Sequence, residues 1–453
     1  MKEEAIAYQE ALDYLYSFVD YSLTRSFRYA PEKFDLTRMV DFLKLLGSPQ
    51  EQYPKIHIAG TKGKGSTAAL TASALQAAGY QVGLYTSPHL QEYTERIQIN
   101  GQPIAPGVLV ELVEFVKPFV AQVEHLTTFE ITTALAFLCF ARQNVDVAVV
   151  EVGLGGRLDA TNVIDPLVSV ITSLSMDHMF VLGDTLEKIA FEKAGIIKPG
   201  RPVVLAPQRD EARQVVEQAA RERSSALFEV GRDYLFAAGQ HSLDGQTFQV
   251  WRAGKNAETL FTPLLGLHQV ENAVTAYAAL EIAREQGLDI PLEAIQRGFA
   301  QVNWPGRFEL LRRDPPFIVD SAHNRDSALR LRQALDDYLP GRPVILLFGA
   351  SEDKDVEGIF AELMPRVSRV IATQSIHPRA MEASAIVDLA GHHGRQAEAV
   401  LPLEKAVEET LRLAGASEVV LATGSLFIVA AVRETWHKLV QAGSLGENPA
   451  RNF

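Results

Sequence analysis

The segment Ile56-His57-Ile58-Ala59-Gly60-Thr61-Lys62-Gly63-Lys64-Gly65-Ser66-Thr67 constrains this chain more than any other. An apolar, strand-like run leads into a glycine-rich turn, and an alanine-rich helical pattern follows at once. Glycines let several backbone N–H groups converge on one anion, the helix start adds its positive end, and a lysine supplies a point charge. The pattern predicts a phosphate cradle formed by Gly60, Thr61, Lys62, Gly63, Lys64, Gly65 and Ser66. It departs from the common P-loop sequence, because Gly65 stands between Lys64 and the first hydroxyl, Ser66.

The same succession of strand and helix runs through most of the chain, which is the signature of parallel sheets joined by crossover helices. Residues 55–59, 82–85, 145–151, 168–172 and 203–206 read as buried strands. The helical pattern 66–78 stops at Gly79, a residue suited to a left-handed C-terminal cap. Between 227 and 260, Phe248, Val250 and the turn pair Asp244-Gly245 predict a hairpin appended to the main sheet. A helical stretch over 270–286 follows, and Asn303-Trp304-Pro305-Gly306-Arg307 then breaks the periodicity. Beyond the break, the runs 317–320, 344–348, 370–373 and 419–422 alternate with helices. The expected fold is α/β: a P-loop-type ATPase domain with a mainly parallel sheet over 1–302, a linker at 303–307, and a smaller Rossmann-like α/β domain over 308–453. A length of 453 residues suits two such domains.

Charge narrows the partners. With 43 basic against 56 acidic residues the net charge is −13, which argues against nucleic acid and against anionic membrane surfaces. Any phosphate must then be held by a local site. The single cysteine, Cys139, lies in an apolar stretch and reads as a buried residue of a reducing compartment. The first residues, MKEEAIAYQEALDYLYSF, are acidic where a secretory signal would be basic, and the apolar runs fall far short of the roughly 20 residues that span a bilayer. A cytoplasmic location is expected.

Outside the loop, Glu151 stands at the end of an apolar strand, where open α/β sheets place ligands. A carboxylate there suits either Mg²⁺ or a helix cap. His178 also follows a strand, and taken alone it reads as structural. Asp184-Thr185-Leu186-Glu187 has capping-box spacing, which puts Lys193 in the last turns of a short helix as an ordinary solvated lysine.

Longer motifs carry a resemblance. The loop Gly60–Ser66 resembles the nucleotide loop of the Mur ligase superfamily, where Asn usually stands in the place of Lys62. Thr86-Ser87-Pro88-His89-Leu90, the stretch 151–162 (EVGLGGRLDATN), Asp177-His178 and Glu192-Lys193-Ala194-Gly195 resemble the folylpolyglutamate synthase and dihydrofolate synthase family. So do His268-Gln269-Val270-Glu271-Asn272-Ala273, Pro305-Gly306-Arg307-Phe308-Glu309, Val319-Asp320-Ser321-Ala322-His323-Asn324 and Thr423-Gly424-Ser425-Leu426-Phe427. Together they cover nearly the whole chain.

The resemblance implies an ATP-dependent ligase that joins L-glutamate to a reduced folate or a pteroate. It implies Ser87, Glu151 and His178 as magnesium-site residues, with Ser66 near the nucleotide phosphates. Lys193 is implied to be carbamylated by carbon dioxide and, with Lys64 and His323, to serve catalysis. Asn272 is implied near adenine, Arg307 near phosphate, and Asp320 as an acceptor from the ribose. His323 and Ser425 would orient the glutamate. Thr127, Thr128, Phe129, Glu130, Leu158, Asp159 and Ala160 match segments that contact the pterin. Addition to tetrahydrofolate or its polyglutamates is the expected reaction, and addition to dihydropteroate stays open because the stretch 26–35 (SFRYAPEKFD) departs from the form expected in either subtype. A peptidoglycan-type Mur ligase would need a further domain before the first strand, which only about 55 residues precede. A noncatalytic nucleotide switch would explain the loop but not the set Glu151, His178 and Lys193. The chain is expected to act as a monomer.

Overall fold

The computed structural model describes residues 2–19, 35–177 and 179–442. Eight strands make the first sheet: β1 (Lys55–Ala59), β2 (Val82–Tyr85), β3 (Ile97–Ile99), β4 (Gln102–Pro103), β5 (Val147–Glu151), β6 (Val168–Ile171), β7 (Val203–Leu205) and β8 (Leu227–Glu229). Their order is β4-β3-β2-β5-β1-β6-β7-β8. Neighbours from β2 to β8 run parallel, and β3 and β4 return antiparallel. β1 lies between β5 and β6, with Ile58 opposite Glu151 on one side and Val170 on the other. The strands β1, β2, β5, β6 and β7 are buried along their length. Burial on both faces is why they read as continuous apolar runs and not as alternating ones.

The helix Lys64–Ala77 starts at Gly63 and ends in a Schellman motif, where Gly79, at φ +97°, donates to Gln76 O and Tyr80 N donates to Leu75 O. It packs closely on the helix Leu292–Gln301: a Cβ at Gly298 would lie 2.4 Å from the Ala74 Cα, and Ser73 Oγ donates to Gly298 O. Cys139 is buried in the helix Thr128–Arg142 among Phe137, Phe140 and Leu135.

The region after β7 differs from the hairpin expected there. β8 is the edge strand of the main sheet, whereas β9 (Tyr234–Ser242), β10 (Gly245–Arg252) and β11 (Glu258–Thr262) form a separate three-stranded sheet. The Asp244-Gly245 turn was visible locally, but which strands pair across distance is not a local property.

The second large sheet has the order β12-β13-β17-β14-β15-β16, with β12 (Glu309–Arg313), β13 (Pro316–Val319), β14 (Val344–Phe348), β15 (Val367–Ala372), β16 (Gln396–Ala399) and β17 (Val419–Thr423). All pairs are parallel except β12 with β13. Ile318, Leu346, Phe348 and Leu421 meet Leu331, Leu335, Ile359 and Phe360 in its core. The described residues fall into two compact units, one of Met1–Gly239, Thr247–Thr262 and Gln269–Val302, the other of Gln240–Gln246, Pro263–His268 and Asn303–Phe453. Among the described residues no helix is long and apolar enough to cross a membrane.

Candidate active site

In the first unit the site grows from the carboxyl ends of adjacent parallel strands. β1 runs into Gly60–Gly63, and the structure leaves no room for a side chain at Gly60 or Gly63. A Cβ on Gly60 would lie 1.8 Å from Thr172 Oγ1, and one on Gly63 would lie 2.1 Å from Asn272 Oδ1. Gly63 also holds φ at +85°, in the left-handed region. The loop is tied to the segment after β6: Thr61 N and Lys62 N donate to Ser173 O at 2.9 and 3.1 Å, and Thr172 Oγ1 donates to Lys62 O at 2.8 Å. Lys62 Nζ pairs with Asp177 Oδ2 at 3.0 Å.

Lys64, the first residue of the helix, sets its ammonium 3.9 Å from Glu151 Oε1 at the end of β5. The other oxygen of Glu151 accepts from Ser87 N at 3.2 Å, just past β2. Lys193 reaches the loop from the helix Leu186–Ala194 and donates to Gly60 O at 2.9 Å. It is buried, not solvated, with 4% of its surface exposed. Burial, reinforced by the Lys64 charge, lowers its pKa to about 7. That helix is capped one residue later than its capping-box spacing indicated: Thr185 Oγ1 accepts from Lys188 N. Ser66 is buried in the first turn of the loop helix, Gly65 precedes it there, and Asn272 donates to Gln269 Oε1 while facing Gly63. Gly60, Thr61, Lys62, Gly63, Lys64, Ser87, Glu151, Lys193 and Asn272 are thus brought into one neighbourhood. His178 lies outside the described residues, and among the described residues no three His, Cys, Asp or Glu side chains form a metal cage.

Among the residues that the resemblance assigns to the pterin, Phe129 packs against Gly153, where a Cβ would lie 2.4 Å from its Cζ. Thr127 and Glu130 form a capping box at the start of the helix Thr128–Arg142, and Glu130 also pairs with Arg38 at 3.2 Å. Thr128 Oγ1 donates to Leu15 O. Asp159 is buried, accepting from Leu154 N on one oxygen and from Thr161 N and Oγ1 on the other. Leu158 is half-buried and Ala160 buried beside it. Thr127, Thr128, Glu130 and Asp159 therefore shape the backbone that presents Phe129 and Leu158.

In the second unit, Asp320 follows β13 and gives both oxygens to the backbone, accepting from Phe308 N at 2.8 Å and Ala322 N at 2.9 Å. Burial raises its pKa, while Arg307 opposes the shift. Arg307 Nη1 donates to Gly306 O. His323 Nδ1 donates to Ser321 O at 2.9 Å, and Ser425 caps the helix Leu426–Gln441 by accepting from Ile428 N. Gly424 N donates to Ala322 O, so the loops that carry His323 and Ser425 are adjacent.

Three contributors were not singled out as site residues from the sequence, although Asp177 stands in the Asp177-His178 motif and His57 in the strand before the loop. Thr172 closes the space above Gly60, Asp177 faces Lys62, and His57 is wholly buried in β1. Thr161 Oγ1 donates to Asp159, so His57 Nε2–H donates to Thr161 at 2.8 Å; burial lowers the His57 pKa to about 3 and keeps the ring neutral.

Residues 58–280 match the Mur ligase middle domain, and residues 306–426 match the Mur ligase glutamate ligase domain. The chain is an ATP-dependent ligase of the Mur type. The dihydrofolate synthase/folylpolyglutamate synthase of Bacillus subtilis is 37% identical over 430 residues, which are 92% of this chain and 99% of that one. Folylpolyglutamate synthase of Mycobacterium tuberculosis complexed with ADP has a TM-score of 0.88 at 33% identity, covering 98% of this chain and 100% of the other. FolC of E. coli in complex with DHPP and ADP has a TM-score of 0.85 at 30% identity, covering 97% and 98%. The chain belongs to the folylpolyglutamate synthase/dihydrofolate synthase family.

Proposed function

We propose that this ligase adds L-glutamate to the γ-carboxylate of tetrahydrofolate or its polyglutamates, with ATP as the activating substrate. The observation that carries the reading is the convergence of Lys62, Lys64, Glu151 and Lys193 on one glycine loop at the carboxyl ends of β1, β5 and β6. A carboxylate is inert to amines at neutral pH because oxide would have to leave. Phosphorylation supplies a leaving group: a γ-carboxylate oxygen attacks the γ-phosphorus, ADP departs, and an acyl phosphate forms. The glutamate nitrogen then attacks the acyl carbon, phosphate departs, and the amine proton is lost.

Lys64 would offset the charge on the transferring phosphoryl group, as would the loop N–H groups. Magnesium prefers oxygen ligands, commonly one or two carboxylates together with phosphates. Glu151, 5% exposed and set between Lys64 and the Ser87 N–H, fits one such carboxylate, with Ser87 and His178 as the remaining members of the set. Bound there, the ion would add positive charge at the phosphates. A pKa near 7 leaves much of Lys193 as the neutral amine at physiological pH, the form that combines with carbon dioxide to give a carbamate and a proton. Asn272 would meet adenine, Arg307 and Asp320 the phosphate and ribose, and His323 and Ser425 the glutamate.

Dihydropteroate is the second acceptor to consider, because the Bacillus subtilis relative carries both activities in its name. Purified protein, ATP, glutamate and either tetrahydrofolate or dihydropteroate, read by mass, tests both readings. Glutamyl addition to tetrahydrofolate is expected. Product from dihydropteroate alone would overturn the folate reading, and product from neither would overturn both.

A further inference from the structure

We propose that Lys62 and Asp177 form a matched charge pair at the rim of the nucleotide loop, in which Lys62 shields bound phosphates from the Asp177 carboxylate and so sets nucleotide affinity. The inference rests on the reading of Gly60–Ser66 as a nucleotide loop.

The loop does not need this ion pair to stay in place. Thr61 N and Lys62 N already donate to Ser173 O, Thr172 Oγ1 to Lys62 O, Thr61 Oγ1 to Ser175 O, and Lys193 Nζ to Gly60 O. Four bonds to the backbone of residues 60–62, and a fifth from the Thr61 hydroxyl, thus anchor the loop without the Lys62 ammonium. What the side-chain pair adds is electrostatic. Lys62 Nζ and Asp177 Oδ2 are 3.0 Å apart, and their side chains are only 16% and 11% exposed, so salt and water screen them weakly. Both charges are felt at the Lys193 amine with opposite signs, which places them within reach of the same pocket as Lys64.

A mostly buried carboxylate beside a polyphosphate site repels the ligand unless a cation faces it. The related loops usually carry Asn at this place, and an amide there would leave Asp177 without this counter-charge. In this chain Lys62 is therefore a positioning residue that supplies local neutrality, while Lys64 and the loop N–H groups remain the direct phosphate partners.

The test is ADP binding by calorimetry in EDTA, which isolates the protein and the phosphates from any metal. Lys62→Met should weaken ADP binding about tenfold, the effect of one unit charge several ångströms away at an intermediate dielectric. Asp177→Asn should tighten it, and the double variant should return to within about threefold of the original protein. A structural clasp would instead make both single variants weaker and the double no better than Lys62→Met, and that pattern would overturn the proposal. Should Lys62→Met fail to fold by circular dichroism, Asp177→Asn alone decides by its sign, with Lys62→Arg expected near the original affinity. Absence of ADP binding in the unaltered protein would instead overturn the nucleotide-loop reading itself.

Discussion

Replacing Gly63 with Ala tests the geometry of the loop most directly. The residue holds φ at +85°, where a Cβ costs roughly 1–2 kcal/mol. The new carbon would also lie 2.1 Å from Asn272 Oδ1, far inside contact distance. Asn272 is 8% exposed and donates to Gln269 Oε1 at 3.0 Å, so displacing it breaks a buried hydrogen bond worth about 1–3 kcal/mol. The sum is about 2–5 kcal/mol. Gly79→Ala provides the control, because Gly79 has φ +97° but nothing within 4 Å of a Cβ, leaving the same backbone strain alone at roughly 1–2 kcal/mol. Urea unfolding followed by circular dichroism should show a larger loss of midpoint for Gly63→Ala than for Gly79→Ala. Adding Asn272→Ala to Gly63→Ala should recover part of the loss, because the obstacle is then absent. If Gly63→Ala costs no more than Gly79→Ala, the close approach of Asn272 to the loop is wrong.

Lys64→Ala should lower glutamyl transfer at least about a hundredfold, the equivalent of roughly 3 kcal/mol of transition-state stabilisation, with folding preserved; near-normal turnover would remove Lys64 from phosphoryl transfer. Asp320→Ala should destabilise the protein by about 2 kcal/mol, because Phe308 N and Ala322 N lose their acceptor and Phe308 is held at φ +44°. An unchanged unfolding midpoint would contradict that structural role, and calorimetry with ADP checks the proposed nucleotide contact separately. Lys193 has a folded pKa of about 7 against about 10.4 in the unfolded chain, so between those values the unfolded state binds the extra proton and stability rises with pH. In metal-free, carbon dioxide-depleted buffer, Lys193→Met should show a smaller gain in urea midpoint from pH 7 to 9.5 than the unaltered protein; equal gains would refute the buried, neutral Lys193.

The sequence by itself determined the features that are local. Continuous apolar strands such as Val147–Glu151, alternating with helical stretches, set the α/β class because period and length are read along the chain. The glycine pattern of residues 60–65 marked a tight turn between strand and helix because glycine takes a positive φ at little cost, as at Gly63, and Gly79 marked the end of the helix for the same reason. Burial of Lys193 was not legible, since a lysine on a short helix looks solvated until neighbours cover it. Nor could Thr127, Glu130, Asp159 and Ser425 be separated into ligand contacts and caps without their hydrogen bonds. Lys62 meets Asp177 across 115 residues, and Lys193 meets Gly60 across 133. The separate sheet of β9, β10 and β11, and the inclusion of Gln240–Gln246 in the second unit, likewise depend on distant pairing. Only the tertiary structure decided these, because strand order sets which loop ends become neighbours, and no residue's type or spacing encodes the partner it will face once β1 is inserted between β5 and β6.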